Sequence, residues 1–192
     1  MIIQIENAVG ENDSQRLITA YDQCVHLTNV RDQTGHPVVY WQHMRDAPGL
    51  DDVVARLIQG CLSKISGSLQ SAKPLYPETV VLAAIGPGGC HSCHADNCRQ
   101  NEQGDWVPNH TPQPDVSAIY YLNEEFEGGE IAFEREGLVV KPRRGLLLAF
   151  PSDGEHVHQV YPVRRGIRYT MPIWFTSQES SAAAWLPETT MS

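Results

Sequence analysis

Apolar residues recur at helical spacing in two stretches near the start of the chain. In residues 12–28 these are Leu17, Ile18, Tyr21, Cys24 and Val25, with Asn12, Asp13 and Ser14 ahead of them as candidate N-caps. In residues 50–68 the stripe is cleaner: Val54, Leu57, Ile58, Cys61, Leu62 and Ile65, closed by Gly67. Each predicted helix has one face to bury. After Pro74 the pattern changes. PETVVLAAIGPGG reads as a strand and a turn, and VSAIYYLN, EIAF, LVV, LLLAF, HVHQVYPV and RYTMPIWF are short and rich in β-branched or aromatic residues. EGG, KPRRG, PSDG and RRG punctuate them. Helices followed by many short strands predict a mainly β fold, an antiparallel sandwich or barrel with helical support on one side. One domain over 1–192 is expected: a helical support region over 1–75, a β core over 76–176, and a polar tail over 177–192 in which Trp185 and Leu186 could dock.

Bulk properties narrow the function. The 192 residues suffice for one sizeable core. A net charge of −9 argues against a nucleic-acid partner, and the basic KPRR is read as a solvated turn. No apolar run is long enough to span a membrane. MIIQIENAVGEND lacks a basic flank and an apolar stretch, so no secretory signal is read and a cytoplasmic location is expected. The five cysteines are then expected as reduced thiols.

CHSCHADNC, residues 90–98, concentrates the metal-binding chemistry. Cys90 and Cys93 have the spacing of a zinc knuckle, but a closed site needs two more ligands. Cys98, His91 and His94 are too cramped to supply them, and no second such pair exists. Cys24 and Cys61 lie in the helix stripes, where a free thiol behaves as a small hydrophobe. His94 and Asp96, two apart, point to one side of an extended segment. They supply two of the three ligands of a 2-His-1-carboxylate iron site. A distant strand must give the third, and HVHQVYPV offers His156 and His158. Arg168 opens the next strand and has the geometry to grip a carboxylate through two hydrogen bonds.

HAD, IYYLNEEFEGGEIAF, KPRRGLLLAF and HQVYPVRRGIRYTMPIWF occur in an order and spacing that resembles the prolyl-4-hydroxylase-like 2-oxoglutarate- and Fe(II)-dependent dioxygenases, over about residues 79–176. The resemblance implies a double-stranded β-helix, a jelly roll of the cupin type. It implies His94, Asp96 and His158 as iron ligands, with His158 favoured over His156 by the family's spacing to the arginine. Arg168 resembles the residue that binds the far carboxylate of 2-oxoglutarate, assisted by Tyr121. Trp174 and His91 resemble pocket-lining positions. Where many relatives carry a tyrosine, this chain has Ala84 and Ile85. Cys90, Cys93 and Cys98 beside the metal-binding stretch are a further departure.

The implied activity is hydroxylation of a C–H bond in a small molecule, an amino acid or a prolyl residue. Fe(II), 2-oxoglutarate and O2 would be consumed or used, with ascorbate as an auxiliary reductant, and succinate and CO2 released. The segment NCRQNEQGDWVPNHTPQPD reads as an irregular binding loop, with Trp106, Asn109 and His110 as candidate substrate contacts. Two other classes stay open: a jelly-roll sensor that binds metal and ligand without turnover, and a zinc-stabilised interaction module. Only the latter should unfold on chelation.

Overall fold

In the computed structural model, residues 1–27, 30–32, 34–44, 49–66 and 73–183 are described. Gly67, Trp185 and Leu186, invoked above, lie outside them. In chain order the elements are β1 (Ile3–Ile5), α1 (Glu11–Cys24), β2 (Val38–Tyr40), α2 (Leu50–Ile65), β3 (Tyr76–Ile85), β4 (His91–His94), β5 (Cys98–Gln100), β6 (Trp106–Pro108), β7 (Val116–Tyr121), β8 (Glu127–Gly128), β9 (Ile131–Phe133), β10 (Leu138–Val140), β11 (Leu147–Pro151), β12 (His158–Val160), β13 (Val163–Arg165) and β14 (Arg168–Thr176).

A six-stranded antiparallel sheet in the order β1-β11-β7-β14-β3-β2 faces a four-stranded one in the order β10-β9-β12-β4. Two ribbons, β13-β8 and β5-β6, complete the set. This is the double-stranded β-helix, with both helices on the outer face of the larger sheet. The period-two alternation of β7 shows why. Val116, Ala118 and Tyr120 pack against α1 and α2 together with Leu17, Leu57, Ile58, Cys61, Ile65, Met171 and Ile173. Tyr121, on the opposite face, joins Ile85, Phe133, Leu148, Phe150 and Val160 between the two sheets. Each large apolar side chain so withdrawn from water contributes about 1.5–3 kcal/mol. The Tyr120 hydroxyl donates to Leu57 O at 2.8 Å and pins α2 to the sheet.

Four sequence expectations change. α1 starts at Glu11 with Gly10 as N-cap and no side-chain cap bond, so Asn12, Asp13 and Ser14 lie inside the helix; Glu11 and Asp13 instead favour its positive end. α1 ends at Cys24, with Val25 as a C-cap that still packs on the core, while Leu27 is 83% exposed. Residues 1–75 also supply two strands, β1 and β2, which close the edges of the larger sheet. At three residues each they are too short to show a period. Finally, the segment read as an irregular loop contains the β5-β6 hairpin, with Cys98 opposite Pro108 and Gln100 opposite Trp106. Among the described residues no helix is long and apolar enough to cross a membrane.

Candidate active site

Sheet register assembles the cluster that the sequence could only suggest. His94 ends β4 and His158 opens β12, and the two are direct cross-strand partners. Their rings lie 4.5 Å apart between centroids. Asp96, two residues past His94, turns its carboxylate toward both: Oδ1 is 3.5 Å from His94 Nε2 and 3.9 Å from His158 Nε2. One donor atom from each residue falls within 4.8 Å of the others, and among the described residues this is the sole such group of His, Cys, Asp or Glu. The cysteines of CHSCHADNC therefore join no ligand cluster, which removes the basis for a zinc-stabilised module. All five are free thiols, with Cys90 and Cys93 exposed.

Both imidazoles are held in one tautomer. His94 Nδ1 lies 2.7 Å from Ser92 O, and His158 Nδ1 lies 3.1 Å from His156 O. A carbonyl only accepts, so each Nδ1 carries a proton, and in the neutral ring Nε2 is the nitrogen with the lone pair. His158 is buried against Phe133 and Phe150, at 5.5 and 4.7 Å between ring centroids. That burial pulls its pKa down to about 4 against the opposing pull of Asp96. His158 is thus neutral throughout the physiological range. Burial also pulls His94 down, but its contact with Asp96 outweighs this and raises it. For Asp96, burial opposes ionisation, yet the positive charge of the histidines when protonated, a hydrogen bond from His94 and a hydroxyl from Ser117 hold its carboxyl below the usual range.

The alternative third ligand is elsewhere. His156 sits in the bend before β12, and its Nδ1 pairs with Asp153 Oδ1 at 2.7 Å. Parity along an extended strand would have placed His156 and His158 on one face, but β12 begins only at His158.

Arg168 stands deeper, on the inner face of the larger sheet, 3% exposed. Its Nη2 donates to the Tyr121 hydroxyl at 3.4 Å, and its guanidinium carbon lies 5.0 Å from that ring's centroid. Its Nε is buried with no hydrogen-bond partner, and among the described residues no carboxylate pairs with it. A buried guanidinium left in this state is costly unless an anion completes it. The donor set fits the far carboxylate of a dicarboxylate such as 2-oxoglutarate. Ile85 is the direct partner of Arg168 and faces inward, whereas Ala84 packs on the helix side, so Ile85 alone occupies the position in question.

The remaining predicted residues are distributed around this centre. Trp174 is half-buried and is the partner of Ser117, on the face that carries Asp96's hydroxyl contact. His91 packs edge-on against His94 at 6.0 Å, stacks on His36 at 5.5 Å, and lies 3.3 Å from Asp32 Oδ2. Trp106 is 36% exposed, its indole seated against Gly154. His110 is exposed. Asn109 serves the scaffold, since its Nδ2 donates to Asp96 O at 2.9 Å. Sequence reasoning missed Ser117, Ser152 and Asp32, since isolated small or acidic residues carry no spacing signal.

Comparisons with known proteins identify the fold and the family. Rat prolyl 3-hydroxylase 2 is 41% identical over 95 residues, 45% of this chain, and the chain spans 13% of that relative's length. The viral collagen prolyl hydroxylase of Paramecium Bursaria Chlorella virus-1, solved with 2OG, superposes with a TM-score of 0.72 at 16% identity, covering 93% of this chain and 96% of the viral one. A prolyl hydroxylase of Trichoplax adhaerens, in complex with a hypoxia inducible factor peptide fragment, gives 0.61 at 21% identity, covering 94% and 84%. The profile of the 2OG-Fe(II) oxygenase superfamily matches residues 80–176, the span that holds every ligand of the cluster and Arg168. With half its length matched to that profile, the chain belongs to the 2OG-Fe(II) oxygenase superfamily, oxidoreductases that use Fe(II), 2-oxoglutarate and O2.

Proposed function

We propose that this chain is a peptidyl-prolyl hydroxylase. The observation that carries the catalytic part is the pairing of the His94–Asp96–His158 cluster with a buried, unpaired Arg168 inside one sheet sandwich. The substrate part is supported by relatives whose names specify prolyl hydroxylation.

In this reading His94, Asp96 and His158 would hold Fe(II), a donor set suited to non-haem iron oxygenases. Arg168 and Tyr121 take the far carboxylate of 2-oxoglutarate. When bound, iron, 2-oxoglutarate and O2 supply the oxidising power to hydroxylate a C–H bond, releasing succinate and CO2. The protein's own contribution is orientation and exclusion of water. Phe133 and Phe150 keep His158 dry and neutral. Ser92 O and His156 O fix the two ring orientations. His91, packed against His94, and Trp174, opposite Ser117, are the substrate contacts of this reading. Trp106 braces the Gly154 bend from outside.

The test is anaerobic titration of the metal-free protein with Fe(II) and 2-oxoglutarate, followed by the visible absorption of the chelate, then succinate formation with a proline-rich peptide. The expected result is a band that His158→Ala abolishes and Arg168→Ala weakens, and succinate release that depends on peptide. No band in the wild type overturns the cofactor assignment. A band with succinate release from free amino acids alone overturns the peptide assignment.

A further inference from the structure

Two buried serines surround Asp96 in a way that neither packing nor the metal assignment requires. Ser117 is 2% exposed and Ser152 1% exposed. Ser117 comes from β7, on the inner face that also presents Ile119 and Tyr121. Ser152 follows β11 directly, the neighbour of β7. The Ser117 hydroxyl donates to Asp96 Oδ2. An ionised carboxylate only accepts, so the single proton of Ser117 is committed there. The Ser117–Ser152 contact, 2.8 Å between the two Oγ atoms, must then be donated by Ser152. The result is a one-way chain: Ser152 to Ser117 to Asp96 Oδ2.

The backbone around Asp96 is clamped as well. Its N–H donates to Ser152 O at 3.1 Å, and its own carbonyl accepts from Asn109 Nδ2 at 2.9 Å and Thr111 Oγ1 at 3.3 Å. Asp96 therefore has neither rotational nor translational slack. Of its two carboxylate oxygens, Oδ2 is turned to the serines and Oδ1 to both imidazoles.

We infer that Ser117 and Ser152 are positioning residues that occupy Oδ2 and so present Asp96 to the metal through Oδ1 alone. The inference rests on the metal site proposed above. Its consequence is that the cluster takes three metal positions rather than four, and the remainder stay available to cosubstrate. Without the serines, Oδ2 would be a bare buried oxygen and would compete for the metal itself.

The test uses Co(II) as the metal probe, with affinity and visible absorption read on the full chain. Ser117→Ala should weaken Co(II) binding about tenfold, the lower end of what loss of a supporting group costs. It should also change the cobalt spectrum through the altered coordination. Ser117→Thr, which keeps the hydroxyl, should restore the spectrum. Ser152→Ala should shift both readouts in the same direction by less, since Asp96 keeps its own donor. Wild-type affinity and an unchanged spectrum in a folded Ser117→Ala protein overturn the inference. If that variant does not fold, the same outcome in Ser152→Ala overturns it. Failure of the underlying site looks different: Co(II) binding that survives His158→Ala intact sinks the metal cluster and this inference together.

Discussion

Gly129 is where the chain's architecture touches Arg168, the proposed 2-oxoglutarate-binding residue. It lies at φ +68°, and a Cβ there would come 2.9 Å from Arg168 Cδ, 3.2 Å from Val163 Cγ2 and 3.3 Å from Phe126 Cε2. Gly129→Ala therefore has two effects. A Cβ in the left-handed region costs about 1–2 kcal/mol. The closest clash is with the arm of Arg168, which yields by moving its guanidinium. A hydrogen bond to a charged group is worth about 1.5–3 kcal/mol, so losing one of a bidentate pair raises the Kd for 2-oxoglutarate by about 10- to 150-fold. Gly128→Ala is the internal contrast. Its Cβ, at φ +82°, would run into Pro162 O, a backbone atom that cannot swing aside, so that substitution breaks the β13-β8 ribbon instead. The assays are urea unfolding for stability and calorimetric titration of the metal-loaded protein with 2-oxoglutarate. The expected pattern for Gly129→Ala is a folded protein, unchanged metal affinity and weakened 2-oxoglutarate binding. A folded Gly129→Ala protein with wild-type 2-oxoglutarate affinity would refute the reasoning, because the placement of Arg168 would then not govern the cosubstrate.

Three further outcomes are expected. His158→Ala should lose metal binding, while His156→Ala, whose ring is tied to Asp153, should keep it; metal titration of both checks the assignment. Chelation should leave the protein folded by circular dichroism, since two apolar cores form without the metal cluster; unfolding on chelation would revive a structural metal. Towards a thiol reagent at pH 8, the exposed Cys90 and Cys93 should react first. Cys61, whose thiol burial pushes up to about 12, should stay protonated and react only in denaturant; prompt reaction of Cys61 would mean that the α2 interface opens readily.

The legible part of the site was the part written in spacing. His94 and Asp96 are two apart, and Arg168 stands ten beyond His158, so order along the chain exposed them. The choice between His156 and His158 was not settled by strand parity, because it depended on where β12 begins. Asn109 read as a substrate contact because a polar residue in a long loop has no visible partner; the fold gives it one in the Asp96 carbonyl. Ser117 and Ser152 are separated by 35 positions and meet only through the β7–β11 pairing, so no local pattern could announce them. The strands were legible wherever they carried an apolar period. β1 and β2 were not, since at three residues each they are too short to show a period, although Ile3, Ile5 and Val39 pack on the core.

The larger sheet has a different core on each face, and β7 contributes alternate residues to both. A substitution at Ala118 or Ile173 is felt by α1 and α2, whereas one at Phe150 is felt by His158. Robustness and chemistry are thereby assigned to separate surfaces of a single wall. A lineage carrying this fold is free to reshape the inner surface for a new substrate while the helix-backed outer surface absorbs the loss in stability.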